Sequence, residues 1–244
     1  ELLHPAASLE ETLVLTGSHD VTLDLLADHM KRRAPWIRVS SSHVGSLAGL
    51  VALGAGQCHL GGTHLLDPAT GDYNVAYVKQ HLPGVRVRLV TLALRQQGFI
   101  VQRGNPKSIT GFADLARDDV TMINRQAGSG TRVLLDHHLE QLGIDPARIR
   151  GYDQDEYTHT GVAVQVLAGT ADVGLGILAA ARVLDLDFVP VMVERYDLCI
   201  PHAHWDDPRV VALRETLGDP AFRRAVEALG GYDVTPMGTI AWEG

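Results

Sequence analysis

Strands that alternate with helices along most of the chain predict an α/β architecture with mainly parallel sheets, folded as two lobes. Three observations carry that expectation. Short β-prone runs each end in a Gly/Ser/Thr/His loop just ahead of a helical pattern. The β segments around Arg95 and the stretch near 193–196 fit crossings between lobes. The chain, 244 residues with 45% hydrophobic content, is long enough for one large core or two smaller ones.

Residues 12–16 form the first β-prone run, ending in Gly17-Ser18-His19-Asp20, and Leu23, Leu26, Ala27 and Met30 follow at helical spacing. Residues 36–40 read as a second strand, followed by Ser41-Ser42-His43-Val44-Gly45-Ser46 and a helix carrying Leu47, Leu50 and Val51 that stops near Gly54. Residues 59–61 make a short third strand ending at Gly62-Thr63-His64, and residues 67–73 a surface loop. A long β-prone stretch at 85–94 resumes at 97–101 after Arg95, and Asn105-Pro106 breaks the chain.

A second α/β unit follows, with a helix near 111–116, a strand at 120–123 and a helix from Thr131 that buries Leu135, Leu139 and Leu142 before Gly143. Thr158-His159-Thr160-Gly161 opens a short helix ending at Gly169, and residues 172–177 and 188–193 are further strands. Asp207-Pro208 and Asp219-Pro220 start the last two helices, each an N-cap followed by proline. Crossings near 95–98 and 190–196 make the first lobe discontinuous: residues 1–94 with 194–244 form lobe 1, and residues 95–193 form lobe 2.

Composition narrows the function. A formal charge of −8 argues against a nucleic-acid contact by this domain, which normally needs a basic face. Cys58 and Cys199 stand far apart, so neither a disulfide framework nor a metal knuckle is implied. No apolar run reaches the ~18 residues of a membrane span. The chain opens at Glu1, without Met or a signal sequence, which fits an excised cytoplasmic sensor domain; a periplasmic or other extracytoplasmic receptor lacking its leader is the alternative.

The strand-to-helix junctions carry the chemistry. In open α/β sheets ligands lie beyond the carboxyl ends of the strands. Ser18, Ser42 with Gly45-Ser46, Thr63-His64, Gly128-Ser129-Gly130-Thr131 and Thr158-His159-Thr160 each put hydroxyl or glycine residues where helix N–H groups emerge. Each is also readable as a simple N-cap. Arg125, in the turn, is an expected anion contact; Arg132, one turn into the helix, either contributes or pairs with surface carboxylates. Neutral donors suit a tetrahedral oxyanion because they spread over its oxygens without burying a full countercharge.

These motifs resemble a family. Gly45-Ser46 with Gly49-Leu50, His64-Leu65-Leu66-Asp67, Tyr73-Asn74, Arg95-Gln96-Gln97-Gly98, Gly104-Asn105-Pro106, Asn124-Arg125-Gln126, the Gly128 to Arg132 loop, Thr158-His159, Ala171-Asp172 with Gly174, and Glu194-Arg195-Tyr196-Asp197-Leu198 are similar to the type II periplasmic-binding-protein fold. The similarity is to its molybdate-binding-like branch, found fused to DNA-binding helix-turn-helix segments or to molybdopterin-biosynthesis proteins. It implies a ligand-binding sensor or receptor domain for a molybdate- or tungstate-type oxyanion, held between lobes that close by a hinge. The positions it points to are Ser18, Ser46, Ser129, Thr131 and Tyr196. With the junction residues, the candidate set is Ser18, Ser42, Ser46, Thr63, His64, Arg125, Ser129, Gly130, Thr131, Arg132, His159 and Tyr196. Molybdate importers hold the anion with neutral donors only, so the arginines and histidines here fit tungstate-binding relatives, or a transport receptor for another anion such as a pterin phosphate.

Two other classes compete. A metal-binding module would use His19, His43, His64 and His159, although none shows a tight pair spacing. An enzyme could draw on Ser129, His159 and Asp172, but Gly128-Ser129-Gly130 is not a nucleophile elbow. The sequence therefore reads as a non-enzymatic module with no resident metal or cofactor other than the oxyanion. If His64 or His159 faces the cleft, protonation between pH 8 and about 6 should tighten anion binding.

Overall fold

The computed structural model describes residues 10–244. In chain order, β1 (Thr12–Gly17) feeds α1 (Val21–Arg33), β2 (Arg38–His43) feeds α2 (Ser46–Gly54), and β3 (Leu60–Thr63) precedes α3 (Val75–His81). The 15-residue β4 (Val87–Val101) then leaves this half. A second half holds β5 (Met122–Arg125), α4 (Gly130–Leu142), β6 (Asp155–Glu156), α5 (His159–Leu167), β7 (Val173–Ile177) and α6 (Leu178–Val183). The equally long β8 (Asp187–Pro201) returns, and α7 (Pro208–Leu217), α8 (Pro220–Leu229), β9 (Tyr232–Asp233) and β10 (Ile240–Glu243) close the chain.

Local chemistry sets these boundaries. The Asp20 carboxylate caps α1 by accepting from the Thr22 amide at 2.7 Å, and Lys31, Arg32 and Arg33 occupy its last turn, where cations complement the helix dipole. Ser129 caps α4 through the Arg132 amide at 3.2 Å, and Gly143 ends it in the left-handed conformation, φ 64°.

The sheet order is β2-β1-β3-β8-β4-β7-β5-β6, with β9 and β10 also pairing with β4. β1 runs parallel to β2 and β3, and β5 parallel to β6 and β7. β4 and β8 pair antiparallel with each other, and also with β7 and β3 respectively. The sheet is thus mixed, because the two crossing strands insert between the parallel sets. The interruption expected at Arg95 does not occur: β4 runs through it, since β8 satisfies its backbone from Val87 to Val101 with irregularities only at Thr91/Ala93 and Gln97/Gly98.

Strand alternation divides the core. Leu13, Leu15, Val90 and Leu92 face α1, α7 and α8, packing with Met30, Leu213 and Phe222, whereas Val87 and Leu89 turn to the opposite cluster of Leu50, Leu53, Leu65 and Val78. Beyond the crossing, Phe99 and Val101 join Leu134, Leu135 and Leu139, while Ile100 joins Val162, Val166 and Ile177. The strand-to-helix loops of both halves are left free to meet between these cores.

Several elements differ from expectation. β2 continues to His43, so Ser41 and Ser42 are strand residues rather than loop residues, and Ser42 is the register partner of Thr16 in the parallel ladder with β1. Residues Phe112–Ala116 form a 3-10 helix rather than an α-helix. α3, α6, β9 and β10 were not expected; all are shorter than eight residues and carry little periodic signal. Among the described residues, no helix is long and apolar enough to cross a membrane.

Phe222 is fully buried on α8, whereas Val183 is 65% exposed. Phe222→Ala should therefore cost about 3–5 kcal/mol in urea unfolding, with Val183→Ala changing stability by less than about 0.5 kcal/mol. Equal effects would contradict this core assignment.

Candidate functional site

The loops that follow β1, β2, β3 and β5 meet where the two halves touch. The Leu47 amide donates to the Gly128 carbonyl at 3.3 Å, joining the start of α2 to the loop before α4. A Cβ on Gly45, at φ 91°, would stand 3.3 Å from that same carbonyl oxygen. Gly130 sits so close to His64 that a Cβ there would come within 2.6 Å of its imidazole. Glycine at these two positions is what lets the loops approach this closely.

A buried charge network lies beneath this contact. Arg95 on β4 and Glu194 on β8 are register partners, and the guanidinium Nε donates to Glu194 Oε1 at 2.6 Å. A second Arg95 nitrogen, Nη1, donates to Asp20 at the start of α1. The Tyr232 hydroxyl donates to the same Asp20 carboxylate at 3.1 Å. Arg95, Glu194 and Asp20 are each no more than 2% exposed. Burial alone would raise the Glu194 carboxyl, but Arg95 and then His64 outweigh it and hold it down at about 2. Burial opposes charge on Arg95 too, and Glu194 and Asp20 overcome that and raise it.

From this network runs a hydrogen-bonded chain: Glu194 Oε2 to His64 Nδ1 at 3.0 Å, then His64 Nε2 to Ser18 Oγ at 2.7 Å. The Tyr196 hydroxyl donates to the Ser18 carbonyl at 2.6 Å, and its ring stacks on His64, 5.7 Å between centroids. With its amide nitrogen facing acceptors, Gln97 donates to Gly176 O and Glu194 Oε1, both at 3.3 Å, and accepts from Thr131 Oγ1 at 3.0 Å.

Arg125 supplies a second buried cation. Its guanidinium reaches the Glu156 and Tyr157 carbonyls at 3.1 and 3.0 Å, Gln126 Oε1 at 3.2 Å and His159 Nδ1 at 3.1 Å. Among the described residues no carboxylate forms an ion pair with it. Burial, and then the neighbouring Arg95 charge, lower its pKa to about 9. Because the guanidinium can only donate, His159 Nδ1 must accept, which places the imidazole hydrogen on Nε2. That Nε2 is buried and has no partner. Across the contact, the His19 ring centroid lies 6.1 Å from that of His159 and 4.8 Å from that of His43. His19 Nδ1, His43 Nδ1, Arg95 Nη2 and Gln126 Nε2 are likewise buried without partners. Unpaired buried polar groups of this kind cost free energy unless something meets them.

The sequence-derived candidates divide accordingly. Ser18, Ser46, His64, Arg125, Ser129, Gly130, Thr131, His159 and Tyr196 are buried at or beside the contact. Ser46 Oγ accepts from the His64 amide at 3.3 Å. Tyr196 spends its hydroxyl on Ser18, and Thr131 is engaged by Gln97. Thr63 turns instead to Asn74, 3.0 Å away. Ser42 is exposed on the edge strand, outside the cluster, because β2 runs past it. Arg132 also points away: it pairs with Asp136 at 3.1 Å and Asp155 at 3.4 Å and stacks on Tyr152. The four histidines of the metal reading do not assemble a chelate, since no group of three or more His, Cys, Asp or Glu suited to a metal occurs among the described residues. The Ser129-His159-Asp172 arrangement does not form either: Ser129 Oγ accepts from the Arg132 amide and His159 Nδ1 faces Arg125.

Asp20, Arg95, Glu194, Tyr232 and Gln126 were not among the sequence-derived site candidates, although Arg95, Gln126 and Glu194 stand in the motifs that carry the resemblance. One signal was present: Arg95 follows the mostly apolar run 89–94 within a β-prone stretch, and a charge buried at such a position needs partners.

A family model described as a PBP superfamily domain matches residues 27–218. The chain belongs to the PBP (periplasmic-binding-protein) superfamily. It is 36% identical over 230 residues to the uncharacterized protein YvgK of Bacillus subtilis (strain 168), covering 94% of this chain and 74% of that one. It is also 37% identical over 112 residues, 46% of this chain and 99% of the other, to an uncharacterized Clostridium pasteurianum protein from the 5′ region of a 2Fe-2S ferredoxin gene. A Clostridium perfringens structure described as a phosphate ABC transporter substrate-binding protein with bound phosphate superposes with a TM-score of 0.65 at 15% identity, covering 89% and 97% of the two chains. The sulfate-binding protein SubI of Mycobacterium tuberculosis H37Rv gives a TM-score of 0.64 at 12% identity, covering 91% and 85%. The type II α/β fold of this PBP-like domain is thereby shown.

Burial lowers the His19 pKa from 6.5 to about 4, against the raising effect of Asp20 and with a further push down from His43. Burial and Arg125 hold His159 well below 6.5. The charge gain expected between pH 8 and about 6 thus moves to lower pH in the unliganded protein. A histidine with a depressed folded pKa binds fewer protons folded than unfolded, so its contribution is complete above 6.5 and is lost as pH falls toward about 4. Urea unfolding at pH 7 and about pH 4.5 should show a loss that His19→Gln reduces by up to roughly 3 kcal/mol. An unchanged loss would remove His19 from the account.

Proposed function

We propose that this PBP-like domain is a ligand-binding module, a sensor or receptor, for a small tetrahedral oxyanion held between its halves. The observation that carries the reading is the Arg125–His159 pair: a buried cation with no carboxylate in contact, and an imidazole N–H buried with nothing to donate to. An oxyanion meets both needs, since its oxygens accept from the guanidinium and from Nε2–H together. The amides at the start of α4, beside Ser129, and the serines at Ser18 and Ser46 supply further neutral donors or acceptors around it.

Molybdate and tungstate are the members of this class that the resemblance of the loop motifs favours; phosphate and sulfate are named for the two structural neighbours. In this reading residues 1–94 with 194–244, of which residues 1–9 lie outside the described residues, and residues 95–193 are the two lobes, moving about the crossings near 95–98 and 190–196. The ligand favours the closed state by its differential affinity, and closure is the signal available to any attached DNA-binding or molybdopterin-biosynthesis domain.

A thermal-shift and calorimetry panel of molybdate, tungstate, phosphate, sulfate and zinc checks this. An oxyanion at ~100 times its dissociation constant should add about 2.7 kcal/mol of stability. Arg125→Gln and His159→Gln should each weaken that binding roughly 10- to 100-fold, with Arg132→Ala within about 3-fold of the parent. Stabilisation by zinc alone, or equal losses in all three variants, would rule the reading out.

A further inference from the structure

The polar atoms around the Arg125–His159 pair are not all of one polarity, and on the oxyanion reading above that difference selects the ligand. Glu194, kept ionised by Arg95, can only accept. His64 Nδ1, 3.0 Å from Glu194 Oε2, therefore carries the imidazole hydrogen. Burial is the leading influence on that ring and keeps it neutral, so Nε2 is bare. Ser18 Oγ, 2.7 Å from Nε2, must donate its hydrogen there. A hydroxyl has one hydrogen, and once it is committed to His64 only lone pairs remain for any other neighbour.

His159 is set the opposite way. Its Nδ1 accepts from Arg125, and its Nε2 keeps the hydrogen. Arg95 Nη2 is a further donor without a partner. The buried cluster thus combines unpartnered donors with one serine oxygen held as an acceptor by Glu194 through His64.

We propose that Ser18, oriented by this relay, is a specificity-determining acceptor that makes the site prefer tetrahedral oxyanions retaining an acidic hydrogen at neutral pH. Hydrogen phosphate and hydrogen arsenate are of this kind. Molybdate, tungstate and sulfate carry no hydrogen at neutral pH and would set oxygen lone pairs against the lone pairs of Ser18. A site built around a ligand hydroxyl discriminates strongly against an analogue that lacks it, because a buried group is then left unpaired.

The test is isothermal calorimetry of the 244-residue chain near neutral pH with phosphate, arsenate, sulfate and molybdate. Phosphate and arsenate should bind at least ~10-fold tighter than sulfate and molybdate. In Ser18→Ala the preference should shrink to under ~3-fold, with phosphate weakened and sulfate unchanged or tighter. Glu194→Gln is the second variant. Arg95 Nε requires the amide oxygen, so the amide nitrogen falls toward His64 Nδ1 and donates to it. The hydrogen of His64 then moves to Nε2, and Ser18 is freed to donate. This variant, checked for folding by circular dichroism, should shift preference toward sulfate and molybdate. Wild-type sulfate or molybdate affinity equal to or above that of phosphate would overturn the preference and leave the oxyanion reading standing. So would an undiminished preference in folded Ser18→Ala or folded Glu194→Gln. Absence of binding by all four anions would overturn the oxyanion reading, and this inference with it.

Discussion

The constraint on which this molecule most depends is the need to satisfy one buried guanidinium. Arg95 lies in the middle of β4, where both crossing strands are paired, and is 1% exposed. Removing such a charge from solvent costs several kcal/mol per ion unless partners of good geometry surround it. Glu194 meets it across the ladder, and Asp20 meets it from the head of α1. The same Asp20 carboxylate caps α1 and accepts from Tyr232 on β9. One cation thereby fixes the β1–α1 loop, both crossing strands and the C-terminal return relative to each other. Glu194, held in place, orients His64, and His64 orients Ser18.

Arg95 and Arg125 show how burial sorts similar residues into different roles. Arg95 is matched by two carboxylates, and their field holds its charge. Arg125 is met by carbonyls, an amide oxygen and an imidazole, so burial and the Arg95 charge pull its pKa down. The first arrangement matches the charge within the chain, although one guanidinium nitrogen, Nη2, stays without a partner. The second leaves positive charge and an unpaired imidazole N–H at the place where the halves touch. Net charge does not decide this: the chain is −8 overall, yet local donors outweigh distant charges where water is excluded.

Much of the fold was legible because its signals are local. Asp207-Pro208 and Asp219-Pro220 start helices wherever they stand, and both do so here through the Asp side chain and the next amide but one. The Ser129 cap and the Gly143 stop of α4 were equally readable. Short elements such as α3 and β10 were not, because seven or four residues hold too little periodicity and form through packing on Val87, Leu89 and neighbours. Arg125 was the expected anion contact and Arg132 was left open between the site and surface carboxylates; the positions of Asp136, Asp155 and Tyr152 drew Arg132 outward. Ser42 looked like a loop hydroxyl, and the ladder with β1 made it an edge-strand residue.

The amino-acid order alone determined the alternation of strand and helix, the glycine and hydroxyl loops, and the presence of a charge within a long β-prone stretch. These follow from steric, capping and burial preferences that act over a few residues. Which loops converge, which arginine lacks a carboxylate, and which nitrogen of each histidine holds the hydrogen were decided only in three dimensions. Such facts depend on contacts between residues as far apart as Ser18 and Tyr196 or Arg95 and Glu194, and hydrogen-bond polarity is a property of the pair rather than of either residue.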